Sequence, residues 1–275
     1  MEYFSVLVDL IYRAKSDKRR FNVQIDVSEV QDLSIDSIMY LIAVVFNIVR
    51  ECNNIDLTGN LPNNSDARDL MIEAGFDKFV NFKGRIVPAP KIEGNAIKIS
   101  SGGSINTDKA KQIIDFVVNK TGRKRCQFSF LYEMLIELMA NVNEHAYDSK
   151  VKNSPLSTWY CYVKFEYSKV KFIFLDTGFG IPATVLKKFL ESINPFLSES
   201  KIIRSALNGD FRTKTGLEFR GKGLPGIMAK HRSGQIQELQ IISGSGKVRN
   251  EGTNPVDEDT SSKLKGTLYA WSIVF

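Results

Sequence analysis

The stretch from Phe128 to Tyr147 constrains this chain most. Phe130, Leu131, Met134, Leu135, Leu138, Met139 and Val142 recur at three- and four-residue steps. That spacing predicts a single helix with one apolar stripe. Ser129 stands ahead of the run as the expected N-cap. Beside the stripe lies a polar row of Glu133, Glu137 and Asn141, followed by Glu144 and His145. Residues four apart stack on one helix face, so Glu137 and Asn141 project together. A carboxylate in such a pair can polarise a water. The neighbouring amide oxygen suits Mg²⁺, which takes few protein oxygens and completes its shell with water and phosphate. Taken alone, this row is an ordinary solvated helix face. Sequence downstream turns the balance toward chemistry.

The chain has room for one large or two ordinary domains at 275 residues, and 43% hydrophobic against 25% charged residues is the balance of a globular protein with a real core. A net charge of +6 and a pI near 9.1 would suit an anionic partner, for which a nucleotide is sufficient. Cys52, Cys126 and Cys161 are scattered, with no CxxC and no Cys/His ligand spacing, so reduced thiols in a cytoplasmic protein are expected. MEYFSVLVDL lacks the basic leader of a signal peptide. The longest apolar stretch, Ile38–Val49, is too short to span a bilayer, so no membrane partner is expected.

Tyr3–Ala14 reads as a helix, Phe21–Val27 as a half-buried strand from its alternation, and Ser34–Arg50 as a helix carrying Ile38, Leu41, Ile42, Val45, Phe46 and Val49. Ile55–Leu57 is a short strand broken by Gly59-Asn60-Leu61-Pro62. Ala67–Ala74 is a helix closed by Gly75, with Phe76 and Phe79 packing back. This order, together with IDVSEVQDLSIDS at residues 25–37, resembles the STAS domain (sulphate transporter and anti-sigma factor antagonist). Regulatory members of that family accept phosphate on a serine near the start of the next helix. Here Ser37 follows Asp36, but Ile38 and Met39 stand where the family has Ser and Gly, so a scaffold or dimerisation role is expected instead.

Gly84–Gly103 is rich in Gly, Pro and Ser and reads as a domain junction. Asp108–Asn119 is a helix with Ala110, Ile113, Ile114 and Val117 inward, and Lys120–Arg125 is a basic turn. Short charge runs are usually solvated, so this turn does not make nucleic acid an expected partner. Trp159–Tyr167 and Val170–Leu175 form a hairpin around Ser168-Lys169, with a helix from Pro182 to Leu190 after it. A short helix is expected from Glu199 to Leu207, another from Leu224 to Lys230, and strands at Ile236–Ile242 and Lys247–Arg249. Asn250–Lys263 reads as a polar loop and Gly266–Phe275 as a final strand.

Three glycine elements follow Glu137 and Asn141. Asp176-x-Gly178-x-Gly180 puts a carboxylate at a strand end where the backbone can approach a ligand edge. Gly221-x-Gly223-Leu224-x-Gly226 opens a helix, whose free N–H groups and positive dipole end favour phosphate. Gly266-Thr267 begins the last strand. A P-loop is excluded because GxxxxGK[ST] is absent. GKGLPG matches GxGxxG, but the acid that a dinucleotide fold needs at the end of the next strand is missing, since Ile236–Ile242 runs into Ser243-Gly244-Ser245-Gly246.

ELMANVNEHA, DTGFGI, GKGLPGI and LKGTLY, in that order over residues 105–275, resemble the N box, two glycine boxes and last box of the GHKL ATPases (gyrase, heat-shock chaperone, histidine kinase, mismatch-repair protein). The resemblance implies an α+β chain: a C-terminal Bergerat-fold sandwich over residues 101–275, with helices on one face of a mixed sheet, and a smaller STAS-like α/β domain over 1–100. It implies ATP and Mg²⁺ as cofactors. Asp176 would take the adenine amino group, with Thr267 assisting through water, and Asn141 would ligate Mg²⁺. Gly178 and Gly180 would line the base site. Gly221, Gly223 and Gly226, with Lys222 and Leu224, would hold phosphate. Glu137 would activate the attacking group. Residues 191–220 would be a mobile lid whose Arg212, Lys214 and Arg220 neutralise phosphate. His145 lies inside the N box and not on a separate dimerisation helix, so it is not expected to accept phosphate. EHAY and the compact lid are similar to those of the anti-sigma serine kinases, whose partners are STAS proteins.

The expected function is thus a regulatory ATPase with a regulatory protein partner, either monomeric or a homodimer. An anti-sigma-type serine/threonine kinase and a non-hydrolysing ATP-dependent switch are the alternatives.

Overall fold

The computed structural model describes residues 20–51, 54–76, 94–145, 158–189, 197–211, 223–251 and 254–275. The expected helix at Tyr3–Ala14, Phe79 and Cys52 lie outside them. Strand β1 (Phe21–Ile25), helix α1 (Ile35–Glu51), strand β2 (Ile55–Gly59) and helix α2 (Ser65–Ala74) come first. β1 and β2 pair in parallel, Phe21 opposite Ile55 and Ile25 opposite Gly59. Asn64 caps α2, its Oδ1 accepting from the amides of Asp66 and Ala67 at 3.0 Å.

Next come β3 (Ala96–Gly102), α3 (Thr107–Thr121), a 3₁₀ turn (Arg125–Phe128) and α4 (Ser129–His145). They are followed by β4 (Trp159–Glu166), β5 (Lys169–Asp176), α5 (Ile181–Phe189), α6 (Glu199–Asn208), α7 (Gly223–Arg232), β6 (Gln237–Glu251) and β7 (Asn254–Val274). The strands form a five-stranded sheet in the order β3-β4-β5-β7-β6. Every pairing in it is antiparallel, where the resemblance implied a mixed sheet. β4–β5 and β6–β7 are hairpins, and a tight hairpin can join only antiparallel neighbours.

The architecture is an α+β sandwich. Ala110, Ile113, Ile114 and Val117 of α3 and the Leu131–Val142 stripe of α4 pack with α5, α6 and α7 on one face of the sheet, against Trp159, Cys161, Val163, Phe172, Phe174, Tyr269 and Trp271. The other face presents Tyr160, Tyr162, Ile173, Leu175 and Leu268 to α1. Both faces being covered explains why WYCYV and FIFL read as unbroken apolar runs rather than alternations.

Between Ile38 and Val45, α1 is buried all round. Every residue from Ile38 to Val45 is at most 6% exposed, including Met39, Tyr40 and Ala43, which are off the expected stripe. A helix apolar on all sides belongs inside a core, and this one lies between the β1–β2 layer and the large sheet. Tyr162 Oη donates to Glu73 at 3.0 Å and Lys164 Nζ bridges to the same carboxylate, which adds polar ties between α2 and the sheet.

Four local expectations need correction. β3 occupies what reads as junction, because its backbone completes the sheet edge beside β4. Ser129 has helical φ and ψ, since the 3₁₀ turn delivers the chain into α4 already coiled; the Gln127 side chain accepts from the Lys124 amide at 3.0 Å instead. The β4–β5 turn is Tyr167-Ser168, one residue earlier than expected, with Glu166 opposite Lys169. Arg123, Lys124 and Arg125 of the basic turn are exposed as expected, while Lys120 donates to Asn95 at 2.8 Å.

The fourth is the expected polar loop, most of which is the start of β7. Lys247 pairs with Glu258 and Val248 with Asp257 across the ribbon. Opposite charges, Lys247 to Glu258 at 3.1 Å and Arg249 to Glu258 at 3.5 Å, replace the apolar alternation that marks a strand in sequence.

Candidate functional site

β5 ends at Asp176, directly opposite Thr267 on β7. Asp176 is 5% and Thr267 3% exposed. The Asp176 carboxylate accepts from the Gly178 amide at 2.9 Å. The Thr267 backbone amide also donates to it. Burial pushes its pKa up from 3.8 to about 7, and the two amide hydrogen bonds only partly oppose that rise. A buried carboxylate with a displaced pKa is a candidate functional group.

Gly266 makes this pairing possible. Its φ of 104° lies in the region that favours glycine, and a Cβ there would collide with the Asp176 carbonyl oxygen. Gly178 and Gly180 are buried in the loop between β5 and α5, while Phe179 between them is 51% exposed with Lys187 Nζ 5.6 Å from its ring centre.

The second cluster is on α4. Glu137 and Asn141 are half-buried, and the first residue of α7 is packed on them. A Cβ at Gly223 would lie 2.5 Å from Glu137 Oε1 and 3.1 Å from Asn141 Nδ2. A larger residue here would have to push the Glu137 carboxylate aside, so glycine brings the α7 N-terminus against it. The positive end of the α7 dipole therefore stands over the Glu137 carboxylate. Asn141 brings its Nδ2 next to Gly223. Leu224 is half-buried behind it. Position 226 is different: a Cβ there would meet nothing within 4 Å, so packing does not require its glycine.

Among the described residues no group of three or more His, Cys, Asp or Glu side chains could hold a metal. The described residues thus offer no all-protein cage. Asn141 with Glu137 fits only a cation that draws most of its ligands from phosphate and water, which is the habit of Mg²⁺.

Arg212, Lys214, Arg220, Gly221 and Lys222 lie outside the described residues, as does the side chain of His145. Within the expected lid, residues 199–208 form the well-packed helix α6. Ile202, Ile203, Ala206 and Leu207 bury its inner face. Glu199 accepts from the Ser245 amide at 2.6 Å, the Ser200 amide donates to Asp259 at 2.8 Å, and Arg204 grips Asp257 and Asn250. This part of the expected lid is anchored to the β6–β7 ribbon, because its apolar residues fall at helical spacing.

Sequence reasoning missed Ser243. Its side chain is fully buried and bonds to Ile181, Gly266 and Thr267. The available signal was a serine ending the apolar run of β6. Comparison with known proteins found no family and no curated protein that matches the chain.

Proposed function

We propose that the chain is an ATP- and Mg²⁺-binding regulatory ATPase of the GHKL type, cytoplasmic, with a STAS-like module at its N-terminal end and a regulatory protein as partner. One observation carries the reading. Residues far apart in sequence converge in two clusters whose chemistries complement the two ends of a nucleotide: Asp176 opposite Thr267 for a base edge, and Glu137 with Asn141 beneath the α7 N-terminus for phosphates.

The residues divide the work. Asp176, held by two backbone amides, accepts from an amino group of the base. The α7 N-terminus attracts phosphate oxygens. Asn141 offers an amide oxygen to the cation, which when bound neutralises phosphate charge. Glu137 takes a proton from the attacking water, a role its place on α4 allows and its partial burial favours.

Purified protein incubated with γ-labelled ATP and Mg²⁺ tests this. Free labelled phosphate is expected. Label on protein would replace the ATPase with a serine/threonine kinase, and binding without turnover would leave a nucleotide-dependent switch. No ATP binding at all would overturn the reading.

A further inference from the structure

Ser243 Oγ has one proton and two lone pairs. It touches three polar atoms: the Ile181 amide at 2.8 Å, the Gly266 carbonyl at 2.9 Å and Thr267 Oγ1 at 3.1 Å. The amide can only donate and the carbonyl can only accept. The Ser243 proton therefore goes to Gly266, one lone pair takes the Ile181 N–H, and the other is left for the Thr267 hydroxyl proton. Thr267 is the donor in that contact. Its Oγ1 becomes acceptor-only toward anything else.

Asp176, opposite Thr267, is also acceptor-only once ionised. The pair thus meets a ligand edge with acceptors alone. We propose that Ser243 is a specificity-determining positioning residue: by taking the Thr267 proton it makes the Asp176–Thr267 pair select a purine with a 6-amino group over one with a 6-oxo group. This rests on the ATP-site reading above and adds to it a residue outside the glycine motifs. The position is held tightly. Ser243 is 0% exposed, and its three hydrogen bonds to Ile181, Gly266 and Thr267 hold the hydroxyl in place.

A 6-oxo group facing these acceptors leaves buried polar atoms unpaired, directly or through a bridging water. Without Ser243 the Thr267 hydroxyl is free to rotate and donate to the oxo group. ATP and inosine triphosphate differ at this edge, and calorimetric titration of the full chain with each, in Mg²⁺, reads the effect. Wild type should prefer ATP. Ser243→Ala should lower the ATP-to-inosine ratio roughly tenfold, the worth of one hydrogen bond, with inosine triphosphate binding improved in absolute terms. Thr267→Ser should keep the wild-type ratio and Thr267→Val should lower it. Ser243→Ala should change the ratio no further in the Thr267→Val background.

Melting temperatures on the same samples separate loss of fold from loss of selectivity. A wild type that binds neither nucleotide overturns the ATP-site reading and this proposal together. Equal binding of both by wild type, or an unchanged ratio in Ser243→Ala, overturns the proposal alone. Should Ser243→Ala not fold, an unchanged ratio in Thr267→Val does the same.

Discussion

Asp176→Asn should make the protein more stable at neutral pH and a poorer ATP binder. The folded-state pKa of Asp176 is raised by burial from 3.8 to about 7. A raised acid pKa means that the native state holds the proton longer than the unfolded chain. Its stabilisation is complete below pH 3.8 and is lost as pH rises toward 7. Linkage removes 1.36 kcal/mol for each pH unit in that window, so wild type should lose about 2–3 kcal/mol between pH 5 and pH 8 through this group. The asparagine does not titrate, and its oxygen can still accept from Gly178. It gives up one amide contact, at about 1 kcal/mol.

Urea unfolding at pH 5 and pH 8 measures the effect, with the difference between variants cancelling all other titrations. Relative to wild type, Asp176→Asn should gain about 2–3 kcal/mol on going from pH 5 to pH 8. ATP binding requires the ionised acceptor. Wild-type affinity should therefore rise up to about pH 7 and then level off, while the Asn variant stays flat and weaker. Asp176→Ala should lose about 1.5–3 kcal/mol of ATP binding, the range for a hydrogen bond to a charged group. Parallel stability differences at both pH values would refute the buried-acid argument. Intact ATP affinity in Asp176→Ala would refute the base-edge role.

Glu137→Ala should lower ATP turnover by roughly 10²–10⁴-fold, the usual worth of a general base, with ATP affinity retained in equilibrium titration; unchanged turnover would remove it from the chemistry. Asn141→Ala and chelation should each weaken ATP binding, and calorimetry showing tight metal-independent binding would count against a Mg²⁺ role. Gly223→Ala places a methyl 2.5 Å from Glu137 Oε1 and should displace that carboxylate, lowering ATP turnover with little change in denaturation, whereas Gly226→Ala should be nearly neutral in stability. Ile42→Ala empties a fully buried site in α1 and should cost about 2–5 kcal/mol; because α1 and the large sheet share one core, urea unfolding followed at Trp159 or Trp271 should shift with it. An unshifted tryptophan transition would show the two layers to be independent.

Amphipathic elements were legible in the sequence wherever one face is buried and one is wet. α3 buries Ala110, Ile113, Ile114 and Val117 as its spacing requires, and the stripe of α4 is equally faithful. Candidate site residues were legible where glycine had to sit next to a functional group, as at Gly223 and Gly266. Both signals are local: a helical repeat, or a glycine demanded by its own backbone or immediate packing.

Pattern failed where the partner is remote. The first half of β7 reads as loop because Lys247 and Arg249, not apolar neighbours, hold Glu258 in the ribbon. Residues 199–208 read as part of a lid until β6 is seen to cover their apolar face. α1 shows one stripe in sequence, yet its second buried face exists only because the large sheet lies across it. The sequence alone determined most of the helices and the central hairpin, the apolar stripes and the presence of a carboxylate, an amide and glycines in succession. Only tertiary structure set Thr267 against Asp176, buried that acid enough to raise its pKa, and brought Ser243 to Thr267. Burial and hydrogen-bond polarity depend on which distant residues cover a group, and no local repeat encodes that.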